Sequence, residues 1–216
     1  MKQSAIDLKM MARCVELSAQ AASERELPFA CVVCRDGAIL AEATNAVVRE
    51  SDVTRHAELI AISQAQRALG RSDLSGCTLY STVEPCPMCA FPIREARIGR
   101  VIYAIGSPMM GGVSKWNVLT DDELSNAMPQ VFGDPPLVAA GLCYDEAAAV
   151  WRDWNPLIWA GIRLCGCLAP ADGGATIVYA PRKRGLPRRA LDLIRSVMGR
   201  RRGRRAEAEP ETESVL

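Results

Sequence analysis

His56, the only histidine among 216 residues, stands two positions before Glu58 in T-R-H-A-E-L-I-A (54–61). Thirty residues on, E-P-C-P-M-C-A carries Cys86 and Cys89. An imidazole and two thiols are ligands of the softness zinc accepts, and three protein ligands leave a fourth position for water or substrate. That is the pattern of a catalytic metal, whereas structural zinc sites close all four positions. Pro85 and Pro87 favour a helix start, which puts both thiols on a first turn near the positive end of the helix dipole, where thiolates are stabilised. Glu58 is the group available to move protons. Two residues along a regular helix turn a side chain by about 200°, so Glu58 does not share the histidine's face on an unbroken helix. If the segment begins a helix at the edge of a cleft, the carboxylate can reach the open metal position from the side, as a general base must.

The elements that must hold these residues can be read from periodicity. Ile6, Met10, Cys14, Leu17 and Ala21 recur near the helical period and predict an amphipathic helix over 4–23. F-A-C-V-V-C (29–34) and A-I-L-A-E-A (38–43) flank Arg35-Asp36-Gly37 and predict a β-hairpin. A helix follows from His56 to Leu69 and stops at Gly70. Strands are expected at T-L-Y-S-T (78–82), R-V-I-Y-A-I (100–105) and L-V-A-A-G (137–141), the last of them closing the sheet. A short helix is expected after Pro85, another near 120–128, and a last long one at 146–154 before Asn155-Pro156. From His56 onward the alternation of helix and strand favours an α/β fold with a largely parallel sheet covered by helices. The connection 106–136 is long for a compact domain, a length that often marks segments lining or covering a site.

The whole chain is 49% hydrophobic and 24% charged, typical of a globular protein. It divides into an expected domain at 1–168 and a basic then acidic tail at 169–216. Residues 1–180 carry 15 Lys+Arg against 20 Asp+Glu, or −5, and residues 181–216 carry 11 against 5, or +6. In the tail, Leu191, Ile194 and Met198 could form one apolar stripe among arginines suited to a membrane surface, or the arginines could bind RNA. A solvated appendage is the plainest reading. The N-terminus lacks an apolar stretch of signal-peptide length and no segment is long enough to span a membrane, so a cytoplasmic protein is expected. In that compartment nine cysteines read as metal ligands and buried residues rather than as a disulfide framework. Cys31 and Cys34 form a second C-x-x-C, but in a strand that offset points them to opposite faces, which favours burial. Cys165-Gly166-Cys167 lacks a partner set for a second metal and reads as structural. Of the four tryptophans, Trp116 is the one whose loop could carry it to the cleft.

H-A-E (56–58) with P-C-P-M-C (85–89) resembles the H-x-E…P-C-x-x-C signature of the zinc-dependent cytidine/deoxycytidylate deaminase superfamily, a pattern given in general treatments of nucleobase deamination. The resemblance spans about residues 5–155 and includes L-P-F-A-C-V-V, T-L-Y-S-T-V-E-P-C and A-R-I-G-R-V-I-Y-A. It implies a three-layer α/β/α fold with a mixed, mostly parallel sheet of about five strands. It also implies Zn2+ held by His56, Cys86 and Cys89, and hydrolytic deamination with Glu58 acting first as base and then as acid. Asn45 falls where such enzymes carry an asparagine that hydrogen-bonds the base. The backbone N–H of Ala57, the Phe29 ring and Trp116 are the other expected substrate contacts, and a homodimer is the expected assembly.

The substrate expected first is a free nucleobase or nucleoside of guanine, adenine or cytosine type. The alternative is adenosine in a tRNA anticodon. An RNA editor needs a basic surface around its cleft, and the body carries −5. Bacterial tRNA deaminases follow their equivalent of R-V-I-Y-A with a D-x-K-x-G-like stretch, from which I-G-S-P-M-M-G-G-V-S-K-W departs. The third possibility, a zinc-stabilised binding module without catalysis, does not explain why Glu58 is present.

Overall fold

The computed structural model describes residues 4–171 and the backbone of 177–179; the expected stripe of Leu191, Ile194 and Met198 and the acidic end after it lie outside them. Helix α1 (Ala5–Ser23) begins at Ser4, whose hydroxyl accepts from the Asp7 backbone N–H while the Asp7 carboxylate accepts from the Ser4 N–H, a capping box that satisfies two helix-end donors at once. Strands β1 (Ala30–Arg35) and β2 (Ala38–Thr44) form the expected hairpin. Asp36 and Gly37 both take positive φ, 50° and 81°, which a two-residue turn between twisted strands requires.

Next come α2 (Val47–Glu50), α3 (Ala57–Leu69), β3 (Thr78–Val83), α4 (Pro87–Glu95), β4 (Arg100–Ile105), α5 (Asp122–Ala127), β5 (Leu137–Ala140), α6 (Tyr144–Trp154), α7 (Pro156–Leu164) and β6 (Ile177–Tyr179). The strands lie in the order β2-β1-β3-β4-β5-β6. Parallel pairing is confined to β3-β4-β5, and the other three ladders are antiparallel. Because β2 and β3 both run opposite to β1, four of the six strands share one direction, which accords with the expected mixed, mostly parallel sheet.

Alternate side chains of β1 feed two cores, as the period of a strand demands. Cys31 and Val33 join Ala61, Ile62 and Ile93 from α3 and α4 on one face. Val32 and Cys34 join Met10, Met11 and Leu17 of α1 and Trp151 of α6 on the other. The result is three layers, helices on either side of one sheet, and the two cysteines of the strand pair point apart as their spacing required. Asp7 ties the layers together: its carboxylate accepts from the Tyr80 hydroxyl at 2.8 Å and from Arg100 at 3.2 Å. Burial pushes that carboxyl up, but the donors from Tyr80, Arg100 and Ser4 outweigh it and hold it below the usual range.

Two expectations need correcting. Residues 137–140 are not the last strand, since β6 pairs antiparallel with β5, and α6 is not the last helix. Asn155-Pro156 was read as a stop, yet Asn155 Oδ1 accepts from the Ile158 N–H at 3.0 Å and Pro156 occupies the first position of α7. Asparagine followed by proline is as good a helix start as a helix stop.

Candidate active site

The shared strand direction brings chemistry to one edge of the sheet. Asn45 follows the end of β2, Glu84 and Cys86 follow β3, and Ser107 follows β4. Ligands of open α/β sheets bind at such carboxyl ends. His56 is delivered to the same edge by α3.

His56 occupies the N-cap of α3 with extended backbone, φ −70° and ψ 144°. The offset of a regular helix therefore does not apply between it and Glu58, and both side chains reach the same place. Cys86 is the N-cap of α4 with Pro87 at the first helical position. His56 Nδ1 lies 3.6 Å from Cys86 Sγ and 3.4 Å from Cys89 Sγ, and the two sulfurs are 3.7 Å apart. Around a tetrahedral zinc, bonds of about 2.3 Å to sulfur and about 2.0 Å to nitrogen put donor atoms about 3.5–3.8 Å apart. The three observed separations fit that ion, and among the described residues this is the group of three metal-ligating His, Cys, Asp or Glu side chains. The Cys86 thiol is pushed down to about 4 by its contact with Cys89 and then by His56, which leaves it a thiolate ready for metal.

Glu58 is buried and has one oxygen 3.5 Å from Cys89 Sγ. Burial is the main cause raising its pKa above the ordinary carboxylate value. The Ser81 hydroxyl lies 3.0 Å from the other oxygen and 2.7 Å from the Val83 carbonyl. A hydroxyl has one proton, so when it serves Val83 its oxygen is free to accept from a protonated Glu58. The site can thus hold this carboxyl in either state, which a group that takes and returns a proton needs.

Beside the cluster is a cavity of about 250 Å³ whose walls include His56, Glu58, Asn45, Phe29, Met110 and Trp151. A larger hollow of about 680 Å³, lined by residues such as Gln66 and Arg97, shares no residue with the ligand cluster. Phe29 stands against Trp151 edge to face, 5.1 Å between ring centres. Asn45 is held by its backbone N–H donating to Phe29 O at 2.9 Å and by Nδ2 donating to Glu26 at 2.9 Å. Ala57 is the first residue of α3 and fully buried, which leaves its N–H in the helix's first turn beside His56. Of the expected contacts, Ala57 and Trp116 are absent from the cavity wall; Ala57 lies buried beside His56, whereas Trp116 is 59% exposed, with Lys115 6.0 Å from its ring. Its loop does reach the cavity, through Ser107 and Met110 instead.

The reason lies in Glu84, which sequence reading passed over. Its carboxylate accepts from the backbone N–H groups of Ser107, Val113 and Ser114 at 2.8, 2.9 and 2.7 Å and from the Ser114 hydroxyl at 2.8 Å. Those bonds draw 107–114 inward and leave the next turn, with Trp116, facing out. Glu26 was missed as well; it accepts from Asn45 and from the N–H groups of Val48 and Arg49, at 3.3 and 2.6 Å. A buried acid between a helix and a strand has no periodic signature. Cys165-Gly166-Cys167, read as structural, places Cys165 at the surface and Cys167 in the cavity wall.

The model of the cytidine and deoxycytidylate deaminase zinc-binding region matches residues 4–105. The chain is 35% identical to a tRNA-specific adenosine deaminase of Agrobacterium fabrum over 139 residues, 64% of this chain and 87% of that protein. It is 36% identical to a tRNA(Ile)-lysidine synthase of Deinococcus deserti over 144 residues, 66% of this chain; it spans about a quarter of that protein and of a second such synthase, 26% and 23%. Among solved structures, a tRNA:A34 deaminase that edits the wobble position is similar at 33% identity and a TM-score of 0.56, covering 66% of this chain and 98% of that one. A guanine deaminase of Nitrosomonas europaea is similar at 25% and 0.54, covering 72% and 87%. With its three ligands at zinc spacing and Glu58 beside them, the chain belongs to the cytidine and deoxycytidylate deaminase family of zinc-dependent hydrolases.

Proposed function

We propose that this protein deaminates a free nucleobase or nucleoside, exchanging a ring amino group for oxygen with uptake of water and release of ammonia. The observation that carries this reading is the cavity itself: it is small, and none of the described residues lining it is a lysine or arginine. A flipped-out RNA base would also enter a pocket of this kind, but its neighbouring phosphates need cations at the mouth, and here Leu27, Met110 and Ile162 line the wall. The family match ends at residue 105, before Ser107, Met110, Trp151, Ile162 and Leu168, so part of the wall around the substrate comes from the chain beyond it.

His56, Cys86 and Cys89 would hold zinc, which would supply Lewis-acid activation of water. Glu58 would take one proton from the attacking water and pass it to the ring nitrogen, then carry the second proton of that water to the departing amine. Asn45 and the Ala57 N–H hold the polar edge of the ring, and Phe29 packs on its face. Atoms balance with one water in and one ammonia out. By resemblance, the working unit is a homodimer, for which light scattering should give the mass of two chains.

A second reading, adenosine deamination in tRNA, is favoured by the relatives that carry that name and by the arginine-rich tail. Ammonia release by zinc-loaded protein, measured against a panel of free bases, nucleosides and an anticodon stem-loop, separates the two. Turnover of a base or nucleoside is the expected result. Turnover of the stem-loop alone would replace the first reading with the second.

A further inference from the structure

We propose that Cys165 and Cys167 form a reversible disulfide that remodels the wall of the catalytic cavity, making the pair an oxidation site whose co-substrate is a peroxide. Their sulfurs are already 3.0 Å apart. Gly166 between them takes φ +73°, a conformation glycine adopts without side-chain strain, and it turns the two cysteine side chains towards each other. Cys165 is exposed, where an oxidant reaches it, and Cys167 lines the cavity that also contains His56 and Glu58. Chemistry at the surface sulfur is therefore one residue removed from the substrate.

The surroundings would transmit the change. The pair sits between the end of α7 and a two-bond bridge, Gly106 N–H to Ala169 O at 2.9 Å and Ala169 N–H to Gly106 O at 3.0 Å. Cys167 O accepts from the Ser107 hydroxyl at 3.2 Å and Cys167 Sγ lies 3.7 Å from Met109 Sδ. Both contacts belong to the segment that Glu84 holds against the cavity. The other thiols outside the ligand cluster lack this setting: Cys14, Cys31, Cys34 and Cys77 are buried, Cys143 is half-buried, and burial pushes each of them up. Cys165, hydrogen-bonded by Cys167, is held below the ordinary thiol value, which enlarges its thiolate fraction, the nucleophilic form.

In the reaction the Cys165 thiolate attacks a peroxide oxygen and the O–O bond breaks. Cys165 becomes a sulfenic acid, and the released hydroxide or alkoxide takes up a proton. The Cys167 sulfur then attacks the sulfenic sulfur, the S–S bond forms, and the hydroxyl leaves as water with the Cys167 proton. Two thiols are oxidised by two electrons and one peroxide is reduced. A small dithiol reverses the step by exchange.

The test treats the full-length, zinc-loaded chain with hydrogen peroxide, alkylates the remaining thiols, and maps peptides by mass spectrometry without reduction, with zinc content followed in parallel. The expected peptide carries both residues unalkylated and is lighter by two hydrogens, zinc stays bound, and KM rises several-fold until dithiothreitol restores it. Cys165→Ser should keep the basal KM and lose the response to peroxide. Both thiols alkylated after treatment, Cys165 driven to a sulfinic acid without a link, or an unaltered response in Cys165→Ser would each overturn the proposal.

Discussion

If Asn45 holds the base as proposed, it does so only with the atoms Glu26 leaves it. A carboxylate oxygen accepts, so the amide atom facing Glu26 is Nδ2, and Oδ1 with one N–H remains for the substrate. Glu26→Gln removes that constraint, because glutamine can offer either amide atom and lets Asn45 turn over, while its oxygen still caps the Arg49 N–H. KM should rise about tenfold, the worth of roughly one misdirected hydrogen bond, with zinc content and kcat little changed. An unaltered KM would show that Glu26 serves α2 alone. The ligands and Glu58 were legible from residue type and spacing; Glu26 and Glu84 were not, because their partners are backbone N–H groups brought near only by the fold.

Gly111 shows how an element is held to its task. A Cβ at this position would overlap the Glu84 carboxylate, so Gly111→Ala must displace the group that draws 107–114 inward. The cost should be about 1–3 kcal/mol of stability, as for other overpacked sites, together with a loss of turnover. Wild-type melting and activity in Gly111→Ala would remove Glu84 from this role. At the other end of the sheet, α1 reports its anchoring through pH. Asp7 has a carboxyl held below its unfolded value, so its contribution is present above about pH 4 and is lost as pH falls through the lowered value. Asp7→Asn should destabilise the protein by about 2 kcal/mol at neutral pH. The difference from wild type should shrink in acid denaturation series, and a constant gap down to pH 2 would contradict the assignment. Element types were readable because α1 and α3 keep the helical period and β3 and β4 are short runs rich in β-branched and aromatic residues. α7 was hidden by a dual-purpose Asn-Pro, and β6 lies beyond the expected edge of the domain.

Across the whole molecule, the halves of the chain divide the labour. Residues up to 105 hold the His56, Cys86 and Cys89 group and the proposed proton carrier Glu58, and 106–168 supply part of the cavity wall. No helix among the described residues is long and apolar enough to cross a membrane. Charge, legible from sequence as −5 over residues 1–180, agrees with a cavity wall free of lysine and arginine among the described residues; the cavity's size and lining needed the structure, since they depend on which way one long loop is drawn. The claim that joins these parts is that Glu58 moves protons beside a zinc ion it does not hold. The direct measurement compares wild type with Glu58→Ala for zinc per chain and for ammonia released from the best substrate. The expected variant binds one zinc per chain as wild type does and loses at least about 100-fold in kcat, the lower end of what a positioned acid–base group contributes. Turnover at the wild-type rate, or loss of zinc along with activity, would contradict it.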